Sequence, residues 1–208
     1  MSNALSPFRS LTGANSRLGF YTKETREDIP EIPGCYAWIL PFWFYSDHLP
    51  KLMSSMASVL NYESKPRRQT QISFNWDSFE LSISRTNTNN TGDNLVKAWE
   101  AILADNQAKE ALQKTLLEAS LLFPPLYIGM TNNLRKRYLQ HVKNSDFNDR
   151  FTTCVNDLEL KLSVSDLFFV CIETPKELRK FFGDAAGREN ELIEQMLMRV
   201  CHPPFSIK

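Results

Sequence analysis

Residues 126–144 read LYIGMTNNLRKRYLQHVKN, and the pattern changes period midway. From Leu126 to Thr131 the run is short, apolar and aromatic, as a buried strand requires. From Leu134 onward the apolar positions are Leu134, Tyr138 and Val142, spaced i, i+4, i+8 along one stripe of a helix. Asn132 or Asn133 stands just ahead, and either side chain can cap the first turn. Arg137 and His141 are four apart, so they lie side by side on the flank of the stripe. Between 126 and 145 stand Arg135, Lys136, Arg137 and Lys143 with no acidic residue. The helix alone would read most simply as a solvated basic face.

Working outward, residues 34–40 (GCYAWIL) form a second strand pattern, and residues 166–174 (DLFFVCIET) a third. Helices are expected near 147–156 and over 189–200, the last ending before Pro203-Pro204. On that last helix Leu192, Ile193, Met196, Leu197 and Val200 make an apolar stripe, with Glu194 off its centre. Residues 1–33 are polar and read as an N-terminal arm closed by Pro30 and Pro33. The fold class expected is α/β (α+β): a small, mostly antiparallel three-stranded sheet flanked by helices. Residues 34–43 and 124–208 would form the domain, and residues 44–123 an insertion. In that insertion, LPKLMSSMASVLNYE (49–63) is helical in pattern. QISFNWDSFELSIS (71–84) alternates as a β-hairpin. Ile72, Phe74 and Trp76 share one face, and Phe79, Leu81 and Ile83 follow a break at Asp77-Ser78. Residues 95–122 read as one long helix.

The chain has 208 residues, 42% hydrophobic and 12% aromatic, enough to bury a core. Lys plus Arg equals Asp plus Glu at 24 each, so no global field draws a polyanion and any such attraction must be local. Cys35, Cys154, Cys171 and Cys201 show no CxxC pairing and read as reduced thiols of a cytoplasmic protein. Cys201-His202 is an adjacent pair of metal-ligand types that nothing nearby completes. The N-terminus has no apolar signal core, and the apolar run 34–45 is too short and proline-interrupted to cross a bilayer.

Pro33-Gly34-Cys35-Tyr36 resembles the first half, and Leu126-Tyr127-Ile128-Gly129 the second half, of the tyrosine motifs of the GIY-YIG nuclease family. That family has an arginine ten positions after its second tyrosine, where Arg137 stands, and a histidine or tyrosine four further on, where His141 stands. Its helical glutamate precedes a proline by nine and an asparagine by twelve; Glu194 is followed by Pro203 and by Ser206 at those places. The chain departs from the pattern at Ser206 and in the roughly ninety residues between Tyr36 and Tyr127. An insertion costs closure entropy only logarithmically, so the strands can still pair.

The resemblance implies a metal-dependent endonuclease acting on double-stranded DNA, such as a restriction, defence or mobile-element enzyme. It implies Mg²⁺ (or Mn²⁺) at Glu194, which suits a cation that takes few carboxylates and keeps several waters. Arg137 would grip phosphate with a charge that does not titrate off. Tyr36 would act on the attacking water, with His141 taking or relaying its proton and Tyr127 orienting water or phosphate. A tyrosine, ordinarily near 10, needs a neighbouring imidazole or cation to serve so. Gly129 would permit close backbone approach, while Arg135, Lys136 and Lys143 would contact flanking phosphates. Two roles stand open for the insertion, with Lys65, Arg67, Arg68 and Arg85 and the aromatics Trp43, Tyr45 and Trp99: target recognition, or a cover that stabilises the core or forms a homodimer. A fold that binds nucleic acid or a protein without cutting is the alternative to an enzyme. A chance match on an unrelated globular protein is the third.

Overall fold

The computed structural model describes residues 17–43, 46–62, 72–74, 77–79, 92–177 and 188–206. The motif stretch folds as the change of period predicts. Tyr127–Thr131 is a strand (β5), and Leu134–Lys143 a helix (α4) whose cap is Asn133, accepting from the Lys136 amide at 2.8 Å. Gly34–Ile39 (β2) lies at the sheet centre, between β5 and Phe168–Glu173 (β6). All neighbouring strands are antiparallel, with Tyr36 opposite both Gly129 and Cys171.

The sheet has four strands where three were expected. Leu18–Tyr21 (β1), inside the segment read as an arm, pairs antiparallel with the outer edge of β6, giving the order β1-β6-β2-β5. Four residues are too few for a period to show, and an edge strand half open to solvent needs no buried face of its own. Phe20 meets Phe168 edge to face at 4.8 Å between ring centroids, which holds the edge down.

Alternation along β2 sends Tyr36 and Trp38 to one face and Cys35 and Ile39 to the other. On the first face Trp38, fully buried, stacks on Tyr138 at 5.3 Å and meets Phe169 at 5.0 Å and Phe147 at 5.9 Å. These rings join α4 and the following helix, Asp146–Asp157 (α5), to the sheet. On the second face Ile39 and Phe168 pack against Leu117 of a helix from the insertion.

The insertion carries Leu49–Leu60 (α1), Asp93–Ala104 (α2) and Asn106–Ala119 (α3). The last two were expected as one helix. Asp105 divides them: its backbone is extended, and its carboxylate accepts from the Gln107 and Ala108 amides at 2.8 and 3.0 Å, capping a new start. The hairpin pairs Ile72–Phe74 (β3) with Asp77–Phe79 (β4), and Phe74 faces Asp77, so the reversal precedes Asp77 instead of falling at Asp77-Ser78. Trp76, Leu81 and Ile83, like Tyr45, Lys65, Arg67, Arg68 and Arg85, lie outside the described residues. Leu49, Leu52, Met56 and Val59 of α1 and Trp99 of α2 belong to the same core cluster as Trp38 and Tyr138. Trp99 is buried, and its indole N–H donates to the Asp47 carbonyl at 2.6 Å. Trp43 is exposed.

The last helix is Arg188–Cys201 (α6), which packs on β5 and β2. Its apolar stripe is divided: Ile193 and Leu197 are partly covered, whereas Leu192, Met196 and Val200 are exposed. His202 follows with φ 46°, a left-handed residue in the place where glycine commonly ends a helix, and its amide still bonds to the Met198 carbonyl at 3.0 Å. That turn and Pro203-Pro204 send the chain back along β5. Phe205 is fully buried, and its amide donates to the Leu126 carbonyl at 2.9 Å. Cys35, Cys154 and Cys171 are buried thiols, Cys201 is half-buried, and no described cysteine is in a disulfide. No helix among the described residues is long and apolar enough to cross a membrane.

Candidate active site

β2, β5 and α4 bring Tyr36, Tyr127, Arg137 and His141 into one cluster. The Tyr36 ring lies across the strand opposite Gly129: a Cβ built on that glycine would stand 2.5 Å from the phenol oxygen and 2.9 Å from the Tyr127 ring. Only a residue without a side chain permits this packing. Gly129 therefore makes room for a tyrosine, a closer and more local demand than the backbone approach to a ligand expected above. The Tyr127 ring stacks on that of Tyr36 at 6.1 Å and 21°, and it also meets the His141 and Phe147 rings at 5.1 and 4.9 Å.

Arg137 turns inward from the flank of α4. Its Nε–H donates to the Tyr36 phenol oxygen at 3.0 Å, and its Nη1 donates to Gln140 Oε1 at 3.2 Å. The Tyr36 oxygen also lies 2.7 Å from His141 Nε2. His141 is only 1% exposed, and its Nδ1 lies 3.0 Å from Ser145 Oγ. Sequence reasoning missed Gln140 and Ser145. Gln140 stands three after Arg137, a contact spacing on one helix, whereas Ser145 lies past the end of α4 and no helical spacing leads to it.

Burial governs the protonation of this cluster. It holds the Tyr36 phenol well above its ordinary 10.0, reinforced by Tyr127 and only partly opposed by Arg137. It pushes the His141 imidazole down from 6.5 to about 3, with the Arg137 charge acting in the same direction. The resting pair is thus a neutral phenol beside a neutral imidazole. The phenol is not lowered by its neighbours, as a ready-made base would need; burial outweighs the cation.

Glu194, on α6, is half-buried and makes no ion pair among the described residues. Desolvation raises its carboxyl above 4.5, while Arg137 draws it down and Glu191 adds to the rise. Its charge also reaches the Cys35 thiol, which burial first and Glu194 second push up to about 11. Glu194 therefore sits within electrostatic range of the tyrosine cluster without touching it. A half-buried carboxylate with no ion pair among the described residues has the donor chemistry to take a divalent ion with solvent in the remaining positions. Among the described residues no three His, Cys, Asp or Glu side chains converge as a closed protein cage.

Ser206 does come back to the motif strand, but to its backbone. The Ile128 amide donates to Ser206 Oγ at 3.2 Å, and Oγ lies 3.5 Å from the Ile128 carbonyl oxygen. The serine ties down the outer edge of β5 next to Tyr127 and Gly129. The basic strip is likewise divided. Arg135 is held by Glu27 and, at 3.5 Å, by Glu31, so its charge is spent on the chain's own carboxylates. Lys136 and Lys143 are exposed. A separate groove of about 720 Å³, lined by residues such as Lys23, Trp43, Leu117, Lys161 and Phe168, includes none of the tyrosine cluster.

No protein-family model, curated protein or solved structure matches the chain.

Proposed function

We propose that the protein is a metal-dependent endonuclease of the GIY-YIG type, hydrolysing phosphodiester bonds in double-stranded DNA. The observation that carries this reading is the hydrogen-bonded set Arg137–Tyr36–His141, with Tyr127 stacked on Tyr36, assembled from segments about a hundred residues apart. Plain core packing would account for stacked tyrosines. It does not account for an arginine and a histidine both directed at one phenol oxygen.

Each role follows from the chemistry of the group. The N–H groups of Arg137 not engaged by Tyr36, Tyr127 and Gln140 would hold a phosphoryl oxygen. Lys136 and Lys143 would hold flanking phosphates, an exposed pair whose contribution is screened by salt. Glu194 would hold one Mg²⁺ or Mn²⁺, which would stabilise charge on the phosphate and the departing oxygen. Tyr36 would take a proton from water as its own passes to His141 Nε2. Because burial widens the gap between the two groups, the two transfers would have to be concerted, without a resting phenolate.

A second reading has its own support. The widened proton gap, the pairing of Arg135 with Glu27 and Glu31, and the chain's zero net charge suit a module that binds nucleic acid or a protein without cutting. Incubation of the full chain with supercoiled plasmid and Mg²⁺, with and without chelator, separates them. Chelator-sensitive nicking, absent in Glu194→Gln, supports the enzyme. DNA retention that weakens with salt, with no nicking at any Mg²⁺ or Mn²⁺ level, supports the binding module.

A further inference from the structure

We propose that Ser145 is a positioning residue that fixes the tautomer of His141, keeping the Nε2 lone pair in front of the Tyr36 phenol. The catalytic consequence rests on the nuclease reading above; the hydrogen-bond assignment does not.

The assignment follows from counting protons. Arg137 Nε–H can only donate, so the Tyr36 oxygen accepts from it. The phenol's single proton then needs an acceptor, and His141 Nε2 stands 2.7 Å away. That distance suits an O–H donor, whereas N–H donors cluster nearer 3 Å. A neutral imidazole that accepts at Nε2 carries its proton on Nδ1. Nδ1–H is buried and needs an acceptor of its own, and Ser145 Oγ lies at 3.0 Å, the spacing of an N–H donor.

Ser145 is equipped for this by its place in the chain. Its backbone is extended, at φ −160° and ψ 158°, and it caps α5 by accepting from the Asn148 amide at 3.1 Å. A hydroxyl has two lone pairs, so Oγ can accept from Asn148 and from His141 together. One side chain thereby starts a helix and orients an imidazole on the helix before it. The opposite arrangement puts the proton on Nε2 and aims both Nε2–H and Arg137 Nε–H at the phenol oxygen. The Tyr36 proton would then turn to the Tyr127 hydroxyl, which lies within hydrogen-bonding range. In that arrangement His141 could not receive it.

In the proton transfer, the Tyr36 O–H bond breaks and an Nε2–H bond forms. In the same step the Tyr36 oxygen takes the proton of the attacking water, whose oxygen bonds to phosphorus. The imidazolium so made keeps Nδ1–H on Ser145, and the re-formed phenol keeps Arg137 Nε–H.

The test is ¹⁵N NMR of the full chain labelled at histidine, with His141 assigned by loss of its signals in His141→Gln. The expected spectrum has a protonated Nδ1 and a pyridine-type Nε2. Ser145→Gly removes the hydroxyl at little cost to the cap, because glycine is tolerated at that position. It should give mixed tautomers and, by analogy with other imidazole-orienting partners, slow plasmid nicking roughly tenfold to a hundredfold. Ser145→Asn, which restores an acceptor oxygen and the cap, should return the single tautomer and most of the rate. A wild-type Nε2 that is protonated, or an unchanged single Nδ1–H tautomer in Ser145→Gly, overturns the proposal. If the tautomer follows Ser145 but wild type never nicks DNA, the positioning stands and the nuclease reading falls.

Discussion

Arg137 Nε lies 3.0 Å from the phenol oxygen of Tyr36, so a cation on a helix flank is directed into the sheet and away from bulk solvent. The planar guanidinium does this while also donating to Gln140, which leaves further N–H groups in a fixed orientation. Lysine has the charge without the fork. Arg137→Ala should lower plasmid nicking by about 10²–10³, the cost of losing one preorganised charge contact, and Arg137→Lys should recover little of it. Both should melt close to wild type, since Tyr36 keeps its contact with His141. Nicking by Arg137→Ala at the wild-type rate would remove Arg137 from the chemistry.

Gly129 and Tyr36 occupy one space, opposite each other in register. A methyl group at 129 would meet the phenol oxygen at 2.5 Å and its ring carbon at 2.7 Å, inside any real contact distance. Gly129→Ala should therefore displace the Tyr36 ring from Arg137 and His141 and cost roughly 1–3 kcal/mol through overpacking. Urea unfolding gives the stability, and near-ultraviolet circular dichroism reports the aromatic cluster. A variant with wild-type stability and an unchanged aromatic spectrum would mean that Tyr36 does not lie over Gly129.

Much of this site was legible because it is local. Asn133, Leu134, Arg137, Tyr138 and His141 follow from one helical period, and the cap and stripe fall where the spacing puts them. The pairing of β2 with β5 was legible only through motif order, because no local pattern links strands so far apart. What escaped was of two kinds. Short elements gave too little periodicity: β1 has four residues, and the α2–α3 break depends on a single capping aspartate, Asp105. Tertiary choices were also hidden. Arg135 looks identical to Lys136 in the sequence until Glu27 and Glu31 come round to meet it. Burial, which sets the protonation of Tyr36 and His141, is likewise a property of the whole core.

Ser206 stands where the GIY-YIG pattern has asparagine, yet its hydroxyl serves the Ile128 backbone on the outer edge of β5. Ser206→Ala should leave the Ile128 amide without its partner and cost about 1 kcal/mol, the usual size of one such bond. Any loss of nicking should be modest and scale with that loosening, because the hydroxyl touches neither Tyr36 nor Glu194. Ser206→Asn keeps an acceptor and should retain the anchor. A drop in rate by Ser206→Ala of the size seen for Arg137→Ala, with stability unchanged, would instead put this hydroxyl in the reaction.

His141 makes the fold itself sensitive to pH. Its native imidazole is held down to about 3 by burial and by Arg137, against 6.5 when exposed, so the unfolded chain binds a proton that the native protein refuses. A depressed native value gives stability that is complete above 6.5 and is lost as pH falls toward about 3. Each pH unit within that window costs up to about 1.4 kcal/mol, so lowering pH from 6.5 to 5 should remove about 2 kcal/mol. Glu194 opposes this trend near its own titration, since its native value is raised and protonation there favours the folded state. Glu27, lowered by its bond to Arg135, adds to the acid loss only at lower pH. The contribution of His141 is isolated by comparison with His141→Gln, which retains an acceptor for the Tyr36 hydroxyl but cannot titrate. Urea unfolding of both proteins between pH 7 and 5 should give curves that converge as pH falls, wild type losing its advantage. Parallel curves over that range would mean that His141 is not a buried neutral imidazole, and would remove the acceptor on which the proton transfer depends.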